Sequence, residues 1–112
     1  MKSKTDSHKK KILLIATGGT IASCYTKEGL APKIAAEDLL QYVEGHQAYC
    51  SVDVMQPFGL DSTNIYAAHW LELAHLIETQ YEVYDGFVIC HGTDTMAFTA
   101  AALSYLIQNS RK

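Results

Sequence analysis

Two short, uninterrupted apolar segments constrain the fold of this chain most strongly. Residues 12–16 (ILLIA) and 87–90 (FVIC) carry no charged side chain, and a glycine follows each within two residues. A strand that is apolar at every position is buried on both faces, as in a parallel sheet that helices cover. We therefore interpret both segments as doubly buried strands of a parallel sheet.

The remaining segments alternate as such a sheet requires. Residues 35–43 indicate a short helix, residues 51–58 a third strand, and residues 96–107 a helix that is apolar nearly all round and enclosed in a core. Another helix carries apolar side chains at helical spacing on one face: Trp70, Leu73, Ala74, Ile77 and Tyr81. The order predicts an α/β fold, a Rossmann-like parallel sheet with helices on both faces in three layers.

The composition excludes several classes of protein. Of the 112 residues, 48% are apolar and 19% charged, which is typical of globular chains, and the net charge of −3 argues against nucleic-acid binding. The cysteines, at positions 24, 50 and 90, are too scattered for a disulfide framework and indicate reduced thiols. No early apolar run could cross a membrane or form a signal peptide. After a polar lead at residues 1–11, we expect a single cytoplasmic unit.

Three loops follow the predicted strands: residues 17–20 (TGGT), 59–64 (GLDSTN) and 91–95 (HGTDT). In a parallel sheet such loops emerge at the carboxyl edge, where α/β proteins bind ligands. The first loop could bind phosphate, but it matches neither GxGxxG nor GxxxxGK[ST]. Thr20 could instead act as a nucleophile if a neighbour accepts its proton. Backbone N–H groups nearby would then stabilise an oxyanion by about 3 kcal/mol per donor.

The third loop leaves two interpretations open. His91 is as suited to bonding backbone groups as to acting as a base. Asp94 or Thr95 could cap the following helix, and the Asp94 carboxylate could equally pair with a substrate ammonium. A cysteine hydrolase built from Cys90, His91 and Asp94 is disfavoured, because Cys90 lies within a strand and His91 would point to the opposite face.

We predict no metal and no cofactor. His69 and His75 are the histidines of one predicted helix, but they are six residues apart, so they do not share a helix face.

Two segments resemble the signatures of a known family. Residues 14–22 (LIATGGTIA) are similar to the first signature of bacterial-type L-asparaginases and glutaminase-asparaginases, and residues 86–96 (GFVICHGTDTM) to the second. The resemblance covers the chain after its polar lead, including residues 61–63. The GLAP segment at 29–32 resembles the cytoplasmic type.

The resemblance implies hydrolysis of L-asparagine, with L-glutamine as an alternative substrate, to the acid and ammonia through an acyl-threonine. Thr20 would be the nucleophile, and Thr93 the second catalytic threonine, acting with a lysine. Asp94 would hold the substrate α-ammonium and also belongs to the catalytic set. Ser62 would bind the α-carboxylate, and Thr63 would make a second substrate contact.

This chain departs from the family pattern in two ways. In the family, a loop tyrosine that partners the nucleophile is common thirteen residues after the nucleophile. Lys33 stands at that position in this chain. Tyr25 is the other candidate for this tyrosine, and we interpret it as an exposed loop residue. Family members are about three times as long and have two domains. Residues 12–112 would thus be the truncated first half of the N-terminal domain, without the C-terminal domain and the catalytic lysine.

The resemblance also implies a homo-oligomer, a dimer or tetramer, because a neighbouring subunit completes each site. The chain alone is expected to be inactive and to aggregate or stay molten. A tRNA-dependent amidotransferase subunit shares both signatures, but it usually has a domain before the first, and only nineteen residues precede Thr20. A non-catalytic amino-acid-binding module is the other alternative.

Overall fold

The part of the chain that the structure describes contains a three-stranded parallel sheet, a short antiparallel hairpin and two α-helices. The computed structural model describes residues 9–18, 24–26, 29–31 and 45–112. Its strands, in chain order, are β1 (Lys10–Ala16), β2 (Cys24–Thr26), β3 (Gly29–Ala31), β4 (Cys50–Met55) and β5 (Gly86–Cys90). The helices are α1 (Ala67–Gln80) and α2 (Met96–Leu106), and 3₁₀ turns cover His46–Ala48 and Ser62–Asn64. The helix predicted at 35–43 lies outside the described residues.

Strand β1 lies in the middle of the sheet, between β4 and β5, and is parallel to both. Leu14 pairs with Val54 of β4 and with Val88 of β5. Leu14 is buried on one face of the sheet, and Leu13 and Ile15 are fully buried on the other. The apolar sequence of β1 therefore reflects burial on both faces, as predicted.

Strand β5 is not buried on both faces, so this part of the prediction is wrong. Among the described strands β5 pairs with β1 alone, which puts it at the edge of the sheet. Val88 lies on the same face as Leu14 and is 49% exposed. Both strands have the same apolar pattern, but burial depends on what lies beside a strand, which its own pattern does not contain.

One apolar cluster joins the sheet to both helices. Its buried members are Leu13 and Ile15 of β1, Leu73 and Ile77 of α1, Leu103 of α2, and Tyr84. Because alternate residues of a strand point to the same face, α1 and α2 both cover the Leu13 face, and they also contact each other. Each buried aliphatic side chain contributes about 1.5–3 kcal/mol. The predicted α/β fold with a parallel sheet is confirmed, and the described helices supply one of its helical layers.

Helix α2 is buried along one side only. Thr99 and Leu103 point into the protein, whereas Phe98 is 65% and Tyr105 is 80% exposed. The prediction that this helix is enclosed in a core is therefore wrong for this chain. The opposite side of α2 therefore presents large apolar side chains to solvent.

Polar contacts link the segment before β5 to β1 and β4. The backbone N–H of Asp85 donates to the Lys11 carbonyl at 2.7 Å, and the Asp85 carboxylate accepts from the Lys11 N–H at 2.7 Å. The Tyr84 hydroxyl donates to Oδ2 of Asp53 at 2.8 Å. This bond holds the phenolic proton and, together with burial, raises the pKa of Tyr84.

Candidate active site

Hydrogen bonds connect the three loops at the carboxyl edge of the sheet. Thr17 donates from its backbone N–H at 3.1 Å and from its hydroxyl at 2.8 Å, both to the carbonyl oxygen of Cys90. The N–H of Leu60 donates to the Thr17 carbonyl at 2.8 Å. The Thr95 hydroxyl donates to the Ser62 carbonyl at 2.7 Å. The described parts of the three loops therefore meet, as the topology predicts.

Gly18 is where the first loop requires a glycine. Its φ of +95° lies in a region that side chains with a Cβ disfavour. A Cβ on Gly18 would lie 2.6 Å from the backbone nitrogen of Leu60 and 2.9 Å from its carbonyl oxygen. The backbones of the first and second loops thus approach too closely for any side chain at this position.

The second loop is held in shape by its own aspartate. Oδ1 of Asp61 accepts from the N–H of Thr63 at 3.2 Å and caps the 3₁₀ turn. Ser62 is only 1% exposed, whereas Thr63 is exposed. Of the two residues of this loop that are expected to bind the substrate, Thr63 is therefore the one whose side chain is open to solvent.

The third loop resolves the interpretations that the sequence left open. His91 is 3% exposed; its Nδ1 lies 2.7 Å from the Gly92 carbonyl oxygen and its Nε2 lies 2.8 Å from the Thr99 hydroxyl oxygen. His91 is thus a buried structural residue. Thr95 occupies the N-cap position of α2, but its side chain makes no capping bond. The expected cap is therefore wrong: Thr95 bonds the second loop, and Asp94 lies before the N-cap.

The structure brings four of the six predicted site residues onto adjoining loops. Thr93 and Asp94 are exposed on the third loop, and the bond from Thr95 joins that loop to Ser62 and Thr63. The predicted nucleophile at position 20 lies outside the described residues.

Tyr25 lies in a strand rather than in a loop. Tyr25 belongs to β2 and pairs with Leu30 of β3. The prediction that Tyr25 lies in a loop is therefore wrong. Its side chain lies outside what the structure describes.

The Cys90 thiol is unsuited to nucleophilic chemistry. Burial raises its pKa, which keeps the thiol protonated, and a protonated thiol is a poor nucleophile. The cysteine-hydrolase alternative is therefore disfavoured by the structure as well as by the sequence.

Sequence reasoning missed the residues that support the third loop. The Trp70 indole N–H donates to the Thr99 hydroxyl at 2.9 Å, and Thr99 in turn contacts His91. The sequence pattern places Trp70 on the apolar face of its helix and does not single out Thr99. The available signal was the spacing of Thr99 from Leu103, because a hydroxyl four residues from a buried leucine shares its helix face and needs a partner.

Comparison with known proteins matches residues 11–112 to the family described as asparaginase, N-terminal. The chain belongs to the asparaginase family. It is 38% identical over 100 residues to the L-asparaginase of Thermococcus kodakarensis, covering 88% of this chain and 30% of that protein. It is 34% identical over 102 residues to a glutamyl-tRNA(Gln) amidotransferase subunit of Archaeoglobus fulgidus, covering 89% of this chain and 24% of that protein.

A solved structure agrees with the fold. The probable cytoplasmic L-asparaginase from Campylobacter jejuni superimposes with a TM-score of 0.74 at 35% identity, covering 85% of this chain and 28% of that one. The chain thus spans less than one third of the length of these relatives. Across the described segments, neither helix is long and apolar enough to cross a lipid bilayer.

Proposed function

We propose that the whole protein carrying this chain hydrolyses L-asparagine to L-aspartate and ammonia. The observation that carries the proposal is the bond between the Thr95 hydroxyl and the Ser62 carbonyl, at 2.7 Å. It ties the loop with Thr93 and Asp94 to the loop with Ser62 and Thr63. This bond supports a common site for the proposed binding and catalytic groups. The family of this chain also includes a relative that is named L-asparaginase.

The described side chains suit a small zwitterionic substrate. Asp94 is exposed, so its carboxylate can receive the α-ammonium of asparagine. In the second loop the exposed Thr63 hydroxyl would donate to the α-carboxylate without a cationic cleft. The Ser62 side chain is buried, so its proposed contact with the α-carboxylate requires the loop to rearrange when the substrate binds. Because a charge-assisted hydrogen bond is worth about 1.5–3 kcal/mol, one anionic partner gives substantial selectivity for amino acids.

The proposed reaction has two halves, and threonine side chains act in both. The Thr20 hydroxyl loses its proton to a neighbour and attacks the side-chain amide carbon. The neighbour passes that proton to the amide nitrogen, the carbon–nitrogen bond breaks, and ammonia leaves an ester on Thr20. A water molecule activated by Thr93 then cleaves the ester, which releases aspartate and restores the Thr20 hydroxyl. Tyr25 is the candidate proton partner on the strand that follows. The catalytic lysine expected beside Thr93 is not assigned to any residue of this chain.

The test is the variant Thr20→Ala in the whole protein, with ammonia release and L-asparagine binding measured separately. Loss of the nucleophile should lower kcat by about 10⁴-fold or more and leave binding nearly unchanged. Thr79→Ala is the control, because the Thr79 hydroxyl is exposed and, among the described residues, bonds only the Leu76 carbonyl of its own helix. A near-normal kcat for Thr20→Ala would remove Thr20 from its proposed role.

A second candidate function is ammonia release for a tRNA-dependent amidotransferase. The similarity to the Archaeoglobus protein favours it, at an identity close to that of the L-asparaginase. Ammonia release from free asparagine, measured with and without glutamyl-tRNA(Gln), decides between the two. An asparaginase is indifferent to the tRNA, whereas an amidotransferase subunit needs it together with a partner subunit.

The remaining proposals concern the whole protein. We assign residues 12–112 to an incomplete N-terminal asparaginase domain and expect a cytoplasmic homo-oligomer, a dimer or tetramer. The relative from Campylobacter jejuni, described as cytoplasmic, supports the location. The inactivity of the 112-residue chain by itself stays a prediction.

A further inference from the structure

A buried polar network runs from α1 through α2 to the third loop. The indole N–H of Trp70 in α1 donates to the hydroxyl oxygen of Thr99 in α2 at 2.9 Å. The same hydroxyl oxygen lies 2.8 Å from Nε2 of His91, and Nδ1 of His91 lies 2.7 Å from the Gly92 carbonyl oxygen. Thr99 and His91 are 2% and 3% exposed. Water therefore cannot readily replace a bond that is removed from this network.

The chemistry of these groups fixes the direction of the bonds at Gly92 and Trp70, and for a neutral imidazole also that of the bond between His91 and Thr99. A carbonyl oxygen only accepts, so Nδ1 of His91 carries the proton that faces Gly92. In a neutral imidazole Nε2 is then an acceptor, and the Thr99 hydroxyl must donate to it. The indole N–H of Trp70 only donates, so it meets the lone pair of Thr99. Every polar group is satisfied, which gives the His91 ring a single tautomer and orientation.

The network holds one end of the third loop, and Thr95 holds the other. His91 and Gly92 stand at the start of the loop, and the Thr95 hydroxyl bonds the Ser62 carbonyl at its end. Between the two anchors Thr93 and Asp94 are exposed. Within the described residues the structure gives their side chains no hydrogen bond, so their positions depend on the loop backbone.

We propose that Thr99 and Trp70 are positioning residues that, through His91, set the location of Thr93 and Asp94. This inference rests on the proposed asparaginase function for its kinetic consequence. Thr99 touches no substrate; it acts by orienting the imidazole that supports the Gly92 carbonyl. A misplacement of catalytic groups by about 1 Å can lower the rate by about 100-fold, so a lost anchor should be measurable.

The kinetic experiment compares Thr99→Val, Thr99→Ser and Thr79→Val in the whole protein. Thr99→Val keeps the shape and removes the hydroxyl, and it should lower kcat per folded protein about 10- to 100-fold. Thr99→Ser restores the hydroxyl and should recover most of kcat. Thr79→Val makes the same chemical change on α1 and should match the wild type. The Thr79 hydroxyl is exposed and bonds only the Leu76 carbonyl within the part of the chain that the structure describes.

Amide hydrogen exchange of Phe98, whose N–H donates to the Thr95 carbonyl at the end of the loop, gives a readout that does not need activity. Exchange should accelerate in Thr99→Val, but not in Thr99→Ser or Thr79→Val. If the wild type releases no ammonia from asparagine, the proposed function fails, and the exchange measurement still decides the positioning role. If Thr99→Val does not fold, Trp70→Phe takes its place and should show a several-fold loss of kcat and faster exchange.

The inference is overturned by either of two results. In one, Thr99→Val keeps kcat within twofold of Thr79→Val, and its Phe98 amide exchanges at the wild-type rate. In the other, Thr99→Ser is as impaired as Thr99→Val, which would assign the effect to packing of the methyl group rather than to the hydrogen bond.

Discussion

The contact between the first and second loops at Gly18 predicts a large and local effect of Gly18→Ala. A left-handed backbone conformation costs a residue with a Cβ about 1–2 kcal/mol. The added Cβ would also lie 2.6 Å from the Leu60 nitrogen, and relief of such an overlap in packed structure costs about 1–3 kcal/mol. Because both close atoms belong to the backbone of Leu60, no side-chain rotation relieves the contact. The total of about 2–5 kcal/mol is a large fraction of a typical free energy of unfolding.

Gly45→Ala is the matched control. Gly45 also has a positive φ, of +76°, but a Cβ there would meet no atom of the described residues within 4 Å. The control therefore includes the conformational cost and lacks the overlap. Native-state hydrogen exchange of the amides in β1 and β4 of the whole protein reports the local free energy of opening. Gly18→Ala should lower it by at least about 1 kcal/mol more than Gly45→Ala. Equal effects of the two variants would refute the steric argument.

Two further predictions concern a tyrosine and the proposed ammonium ligand. Tyr84 has a raised pKa in the folded chain, so its hydrogen bond to Asp53 contributes in full below about pH 10 and is lost as the pH rises through that raised pKa. Tyr84→Phe should lower the free energy of unfolding by about 1 kcal/mol at neutral pH. Above about pH 10 the variant should lose less stability than the wild type, because it has no phenol to ionise. Denaturant unfolding at several pH values measures both effects. A wild-type pH dependence in the variant would contradict this. Asp94→Asn should raise KM for asparagine about 10- to 100-fold in a steady-state assay. Asp61→Asn keeps a capping oxygen and should leave KM unchanged. Equal KM values for Asp94→Asn and Asp61→Asn would exclude the ammonium contact.

Local sequence patterns were sufficient for the elements that a single segment determines. The apolar sequence of β1 and the helical spacing of Leu73 and Ile77 in α1 reflect faces that are buried in the structure. The order of strands and helices also predicted a parallel sheet, whose topology brings the loops together. These features follow from periodicity and chain direction, which the sequence contains directly.

The errors arose where burial or bonding depends on distant residues. Nothing within β5 distinguishes it from β1, yet Val88 is half exposed because β5 lies at the edge of the described sheet. The sequence offers Asp94 or Thr95 as the cap of α2, but the Thr95 hydroxyl bonds a carbonyl 33 residues away instead. Likewise, the Trp70–Thr99 pair spans 29 residues and joins two helices, so only the packing of those helices creates it.

A crystal structure of the whole protein with L-aspartate, the proposed product, bound is the decisive test of the proposed site. We predict that the α-ammonium lies within hydrogen-bond distance of the Asp94 carboxylate. We also predict that the side-chain carboxylate faces the Thr20 hydroxyl, with the second loop at the α-carboxylate. Aspartate bound away from the carboxyl edge of the sheet, or Thr20 and Asp94 on opposite sides of the domain, would contradict the proposed site.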